Sequence, residues 1–305
     1  MKHFATRKIL LAIALGTSIS FGAMQGSLSV AAPMDTTEVA VNVTVQQGTI
    51  DWSQGANSRV TAVGIGLPDS RGMAMSRLAA IMDAQRNLLG IIKGVQVDSD
   101  TLMEELIIKS DTVKRNIGGL LQGAEVVEEG ANADGSYYVK MSVPLFGAKN
   151  SLAAAALPEV LKDIQPVPIA HVNVSDTPLT KEEVREVQTA SYTGIIVDAS
   201  GMGLEPTFSP VIFDSNDRGV YGISNIDSDK AISYGMVGYA KSLESAMSNA
   251  RIGSNPLVVK AVSVRGGNNS VRSVNVVVSP EDGDRILLAN EGTGILENCA
   301  VVFVR

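Results

Sequence analysis

The side chains that most often do nucleophilic, general-base or zinc chemistry are scarce here: two histidines, His3 and His171, and one cysteine, Cys299, in 305 residues. His171 stands in a proline-rich stretch with no cysteine or second histidine nearby, and reads as a solvated linker side chain. Cys299 opens an apolar run between Asn298 and Ala300 and reads as a buried, inert thiol. A redox role would call for a partner thiol or basic neighbours. Pairing with another molecule stays open, because a lone cysteine is unusual in an oxidising compartment.

The glycines and acids offer weaker motifs. Gly64-Ile65-Gly66 follows a strand-like run and precedes a helix-like one, as a dinucleotide loop would, but Asp69 stands where the third glycine belongs and would repel a pyrophosphate. The two glycines are therefore read as easing a tight strand-to-helix turn. Gly201-Met202-Gly203 fails too, since no helix begins at Leu204-Glu205-Pro206. Asp214, Asn216 and Gly219 match positions 1, 3 and 6 of a calcium loop, yet Arg218 supplies no oxygen at position 5 and Asn225 replaces the bidentate glutamate at position 12. That stretch reads as a polar hairpin turn, and Asp227-Ser228-Asp229 and Asp98-Ser99-Asp100 as isolated acidic turns. Glu104-Glu105, Glu128-Glu129 and Glu182-Glu183 are adjacent in sequence, so their carboxylates diverge instead of facing one cleft as glycosidase pairs must. Trp52 and Tyr137-Tyr138 are the main aromatic candidates before the linker, and read as core or cross-strand packing. No catalytic, cofactor-binding or metal-binding residue is assigned; the expectation is a protein that is not an enzyme and carries no cofactor.

Composition agrees. Charged residues make up 19% and hydrophobic ones 45%, which excludes a disordered chain. The net charge of −7 argues against nucleic acid as partner. The N-terminus reads as a secretory leader: Lys2, Arg7 and Lys8, then an apolar run over Ile9 to Ile19, then Ser29-Val30-Ala31 as a cleavage site. Cleavage after Ala31 would remove three cations and no acid, taking the net charge to −10. No later stretch is long and apolar enough to cross a bilayer. The expected location is periplasmic or secreted.

Periodicity supplies the elements. Alternating valines over Glu38 to Gln46 predict a half-buried strand, with further strands over Gly48 to Trp52 and Arg59 to Gly66. Ala74, Leu78, Ile81, Met82, Gln85, Leu88, Leu89 and Ile92 predict a helix capped by Asp69 or Ser70, stopped by Gly94, with that stripe on a sheet. Val95 to Lys109 reads two ways: Thr101 with Glu104 resembles a capping box, while Leu106-Ile107-Ile108 would suit a strand. A short helix from Ser110 or Asp111 should end at Gly118-Gly119, and Asp134-Gly135 should turn a hairpin between Ala124–Glu129 and Tyr137–Leu145. Ala153 to Ala156 suggests a short helix, Pro166 to Thr177 an extended linker, and Thr180 with Glu183 a second capping box. Beyond it come strands at Thr193–Asp198, Val211–Phe213 and Val220–Tyr221, and a helix over Tyr239–Ala250. A hairpin of Leu257–Arg265 with Val271–Ser279, a helix over Pro280–Asn290 and a strand over Cys299–Val304 complete the chain. The fold class expected is α+β: two small domains (32–147 and 191–305), each an antiparallel sheet with helices on one face, joined by a proline-containing linker (148–190).

The first domain also resembles a known envelope module. Gly48-Thr49-Ile50-Asp51-Trp52, Val60 to Gly66, the helix Arg77 to Leu89, Gly94 to Ser99, Gly123 to Val127 and Asp134-Gly135-Ser136-Tyr137 form an ordered set of motifs. They are similar to the domain of twenty-kilodalton-type outer-membrane lipoproteins and to the N-terminal domain of the flagellar assembly protein T, over about residues 48–147. The resemblance implies a helix packed on an antiparallel sheet, used for assembly at the cell envelope, and assigns no functional residue. This chain departs from the lipoproteins in having no cysteine directly after its leader, so lipid anchoring is not carried over. Together these readings give an exported, non-enzymatic envelope protein that works in assembly or scaffolding by protein–protein contact. Its partner would be an envelope or flagellar protein, or a second copy. The alternative is a periplasmic binding module for cell-wall glycan or a small solute.

Overall fold

The computed structural model describes residues 48–163, 172–173, 175–267 and 272–305. The leader, the Glu38–Gln46 strand, His171 and much of the Pro166–Thr177 linker lie outside these residues. The described residues belong to one compact unit.

The first half is built on the antiparallel sheet β1-β2-β4-β3. Its strands are β1 (Gly48–Asp51), β2 (Arg59–Gly66), β3 (Glu125–Ala131) and β4 (Tyr137–Pro144). Three helices, α1 (Met73–Lys93), α2 (Met103–Lys109) and α3 (Asp111–Gln122), lie between β2 and β3 in sequence. The Asp134-Gly135 turn forms as expected, with Gly135 at φ +82° and Asn132 bonded to Ser136 through the backbone.

Helix α1 covers the sheet with part of the stripe expected, Leu88 and Ile92 buried and Ile81 and Leu89 packed on the core, but its N-terminal half turns a different face inward. Ser76, Ala80, Ala84, Leu88 and Ile92 are buried at four-residue spacing, while Leu78 and Met82 are 48% and 62% exposed. The cause lies in β2. A Cβ on Gly64 would stand 2.1 Å from the Ala84 nitrogen and 2.2 Å from the Ala80 oxygen; one on Gly66 would stand 1.8 Å from the Ser76 oxygen. Helix and strand backbones approach so closely that only glycines facing serine and alanine fit. Gly64-Ile65-Gly66 is thus a packing groove inside a strand, a correction to the tight-turn reading. Asp69 does not cap the helix either: its carboxylate holds Arg71, and the N-cap position is Gly72.

Two polar side chains of α1 finish the job. β1 covers β2 only as far as Ala62. Beyond it, Asp83 accepts the Ile65 N–H at 3.0 Å and Asn87 donates to the Val63 carbonyl at 2.8 Å, satisfying backbone groups that would otherwise be a bare sheet edge.

Ser110 caps α3, which runs through Gly118-Gly119 instead of ending there. The Thr101–Glu104 capping box does not form; Leu102 is the N-cap position of α2. Helices α4 (Leu152–Asp163) and α5 (Lys181–Thr189) follow, α5 opening on the expected Thr180/Glu183 capping box.

The second half carries two sheets. Its elements are β5 (Gly194–Asp198), β6 (Ile212–Asp214), β7 (Gly219–Tyr221), α6 (Ser228–Tyr234), β8 (Gly238–Ala240), α7 (Leu243–Met247), β9 (Pro256–Lys260), β10 (Ser263–Arg265), β11 (Asn275–Val278), α8 (Pro280–Asn290) and β12 (Val301–Val304). The α+β class stands. The pairing here, however, is not the antiparallel one expected: β8-β12-β5-β9 runs parallel throughout, and β10-β11-β6-β7 contains one parallel pair, β11 with β6. Strands β5 and β12 are buried almost end to end, the signature of a sheet covered on both faces. One face packs on the main core with Ile195, Val197, Val301 and Phe303; the other packs with Ile196, Val302 and Val304 against Ala246 and Ile252. The expected Tyr239–Ala250 helix divides for the same reason: Tyr239 and Ala240 extend the parallel sheet, and the helix starts only after Ser242, which caps it.

Candidate functional site: the cleft beside the Trp52 junction

The two halves meet on Trp52. This side chain follows β1 and packs against both large cores. Its ring makes edge contacts with Phe146 (centroids 6.1 Å apart), Phe208 (5.4 Å) and Tyr239 (5.8 Å). Phe208 comes from the second half but sits in the core of the first. Backbone bonds hold its loop there: Ser209 N–H donates to the Val97 carbonyl at 2.8 Å and Thr207 Oγ1 to that of Gln96 at 3.2 Å. The Tyr239 hydroxyl closes the arrangement by donating to the Thr207 carbonyl and accepting its N–H; burial raises the Tyr239 pKa well above the usual phenol range.

A cleft of about 530 Å³ opens beside this junction. One wall is the Ser53-Gln54 turn after Trp52; the other carries Tyr234, Asn249, Arg251 and Asn298. The Arg251 guanidinium donates to the carbonyls of Gly235 (2.7 Å), Cys299 (2.9 Å) and Tyr234. These include the last carbonyls around the C-terminus of α6, where a cation is favoured. Among the described residues no carboxylate pairs with Arg251, and burial lowers its pKa from the ordinary guanidinium value. Both asparagines have their oxygens engaged: Asn249 Oδ1 accepts the Arg251 N–H at 3.0 Å, and Asn298 Oδ1 accepts from Lys230. Among the described residues no hydrogen bond takes up their amide N–H groups, so this wall carries spare donors. Tyr234 stands at the rim, 56% exposed. A second cleft, about 330 Å³, lies on the other side of the Ser53 turn and includes Asp51, Lys241 and Arg305.

The segment supplying most of this wall has a recognisable relative. Residues 194–305 match the family described as the second domain of Treponema pallidum Tp0624. The matched stretch starts at the first residue of β5 and takes in both sheets of the second half. A search of curated proteins finds no match.

The motifs singled out in the sequence lie elsewhere. Asp214, read as part of a polar turn, is fully buried. Its carboxylate accepts the backbone N–H groups of Asn216 (2.8 Å) and Arg218 (2.9 Å) and the Arg218 Nε. Arg218 reaches on to Asp284 on α8 at 2.9 Å, and Asp284 accepts from Thr177 Oγ1 at 2.6 Å. Arg218, the residue that spoils the calcium loop, is thus the counterion that makes two buried aspartates tolerable. The glutamate pairs are in surface ion pairs: Glu104 with Lys93, Glu105 with Lys109, Glu128 with Lys140 and Glu129 with Arg77, while Glu183 reaches Arg285. Tyr137 packs against the first core, and Tyr138 lies over Gly130 and donates to Glu128. Cys299 is buried with φ +55°, and burial raises its thiol pKa. Among the described residues no three His, Cys, Asp or Glu side chains gather as metal ligands would, and no helix is long and apolar enough to cross a membrane. Arg251 escaped sequence reading because nothing in Ala250-Arg251-Ile252 marks it. Its lack of an acidic partner is visible only in three dimensions.

Proposed function

We propose that this chain is an exported, non-enzymatic cell-envelope protein that acts in assembly or scaffolding by protein–protein contact, with an envelope or flagellar protein or a second copy as its partner. The observation that carries it is the outward ridge of α1. Leu78 and Met82, one turn apart on the outward face, are 48% and 62% exposed, on a helix whose inward face is made of smaller residues at its N-terminal end. Apolar side chains presented to water in a row mark a surface that gains by being covered. The resemblance of residues 48–147 to envelope assembly modules supports the same reading. A photo-crosslinker placed at Met82 tests it: a defined adduct, with itself or with one envelope component, should form in the parent and vanish in the Leu78→Ser variant. A monomer with no adduct in either chain removes the support.

A second reading, a binding module for cell-wall glycan or a small solute, is favoured by the Arg251 cleft. The cleft is concave, of small-molecule size and lined with convergent donors.

A further inference from the structure

We infer that the Arg251 cleft is a subsite for a carboxylate carried on a sugar ring, an inference that rests on the second reading above and names its ligand class. A guanidinium has five N–H donors. Three of Arg251's are taken by the carbonyls of Gly235, Cys299 and Tyr234, which leaves two. Carbonyls satisfy hydrogen bonds but carry no formal charge, so among the described residues the half-buried cation stays uncompensated, and a charge partly withdrawn from water without a counter-charge is unfavourable. Two acids of the neighbouring segments make their hydrogen bonds elsewhere: Asp227 accepts the N–H groups of Asp229 and Lys230 at the start of α6, and Glu297 accepts from Asn290. None of the cleft-lining side chains is acidic.

The other lining groups say what else the ligand bears. With Asn249 and Asn298 oxygens already engaged, their amide N–H groups offer hydrogen bonds to ring, hydroxyl or acetamido oxygens. The exposed Tyr234 ring supplies an apolar face of the kind sugars stack on. A cation flanked by amide donors and one aromatic ring matches an acidic amino sugar better than it matches a purely apolar solute.

The test compares N-acetylmuramic acid with N-acetylglucosamine, the same ring without the carboxylate, by chemical-shift titration of the mature chain. The acid should perturb the resonances of Asn249, Arg251 and Asn298 and bind about tenfold or more tighter than the neutral sugar. The preference should shrink as salt rises. Arg251 also ties down three carbonyls, so its replacement risks misfolding. The surface variants Tyr234→Ala and Asn298→Ala carry the test instead, each weakening the acid several-fold with unchanged thermal stability. Equal binding of the two sugars overturns the carboxylate subsite and leaves the binding-module reading standing. No binding of either at millimolar concentration removes both.

Discussion

At the scale of single residues, two glycine positions set opposite expectations. Gly64→Ala puts a methyl group 2.1 Å from backbone that cannot rotate away, so helix and strand must separate; the loss should reach about 3 kcal/mol, the upper end for overpacked sites. Gly90, inside α1, would present its Cβ to open space. Gly90→Ala should therefore raise stability by about 0.5–1 kcal/mol through helix propensity alone. Urea unfolding of both variants checks the pair, and equal effects would show the close approach to be wrong. The Asp214 network gives a third expectation. Asp214→Ala strands two backbone N–H groups and leaves Arg218 bound only to Asp284 and the Pro280 carbonyl, a loss of about 3–5 kcal/mol on the scale of broken buried pairs. What the sequence disclosed at this scale was identity without environment. Gly64, Gly66, Asp214 and Arg218 all stood out, but each was read locally. Their partners lie 10–20 residues away in α1 for the glycines and 66 residues away at Asp284 for Arg218.

At the scale of elements, local signals survived and pairing signals did not. The Thr180/Glu183 box, the Asp134-Gly135 turn and the Pro280 helix start all depend on contacts within a few residues, and all formed. The face of α1 was misassigned in its N-terminal half, at Leu78 and Met82, because hydrophobicity ranks Leu and Met above Ala, while the groove in β2 selects for size. The parallel strands were misread because β9 and β10 look like one strand of a hairpin, yet Leu257–Lys260 joins β5 and only Ser263–Arg265 pairs with β11. The caps and turns also predict how the fold responds to acid. Asp69 is held down to about 2 by the side chain of Arg71. Glu183 is lowered by the Thr180 N–H and hydroxyl, and Asp51, Asp134 and Asp198 each by a serine two residues on. All five are depressed in the folded state, so their contribution is complete above about pH 4.5, the ordinary carboxylate range, and is lost as pH falls through the folded values. The urea midpoint should hold between pH 7 and pH 5 and decline below about pH 4; a midpoint unchanged from pH 5 to pH 3 would contradict this. Within that set, Thr180→Ala removes one cap and should lower stability by about 1 kcal/mol.

At the scale of the whole molecule, one indole joins two cores. The first core gathers under α1 around Val139, Met141 and Leu145; the second lies between the two later sheets around Ile212, Val276 and Phe303. Between them stand Trp52, Phe146, Phe208 and Tyr239. Trp52→Ala empties the centre of that group. Truncating a large buried aromatic lowers stability by about 3–5 kcal/mol; Trp52 is half-buried, so about 3 kcal/mol, the lower end, is expected, and the loss falls on the contact between halves more than on either core. Two outcomes follow that an ordinary core truncation would not give. Thermal unfolding, expected as a single transition in the parent because the described residues form one unit, should divide into two, because each half keeps its own sheets and helices. Proteolysis should begin in the Ser53–Asn57 turn, which is anchored on one side by Trp52 and on the other by β2. If the Arg251 cleft is the carboxylate subsite proposed above, the separation should also be felt in binding. Its Ser53-Gln54 wall comes from the first half and its Arg251 wall from the second, so a chain with uncoupled halves should lose affinity for N-acetylmuramic acid even though none of the residues facing the sugar has changed. A variant that unfolds in one lower-temperature step and retains the parent's affinity would place the cleft's integrity in the second half alone.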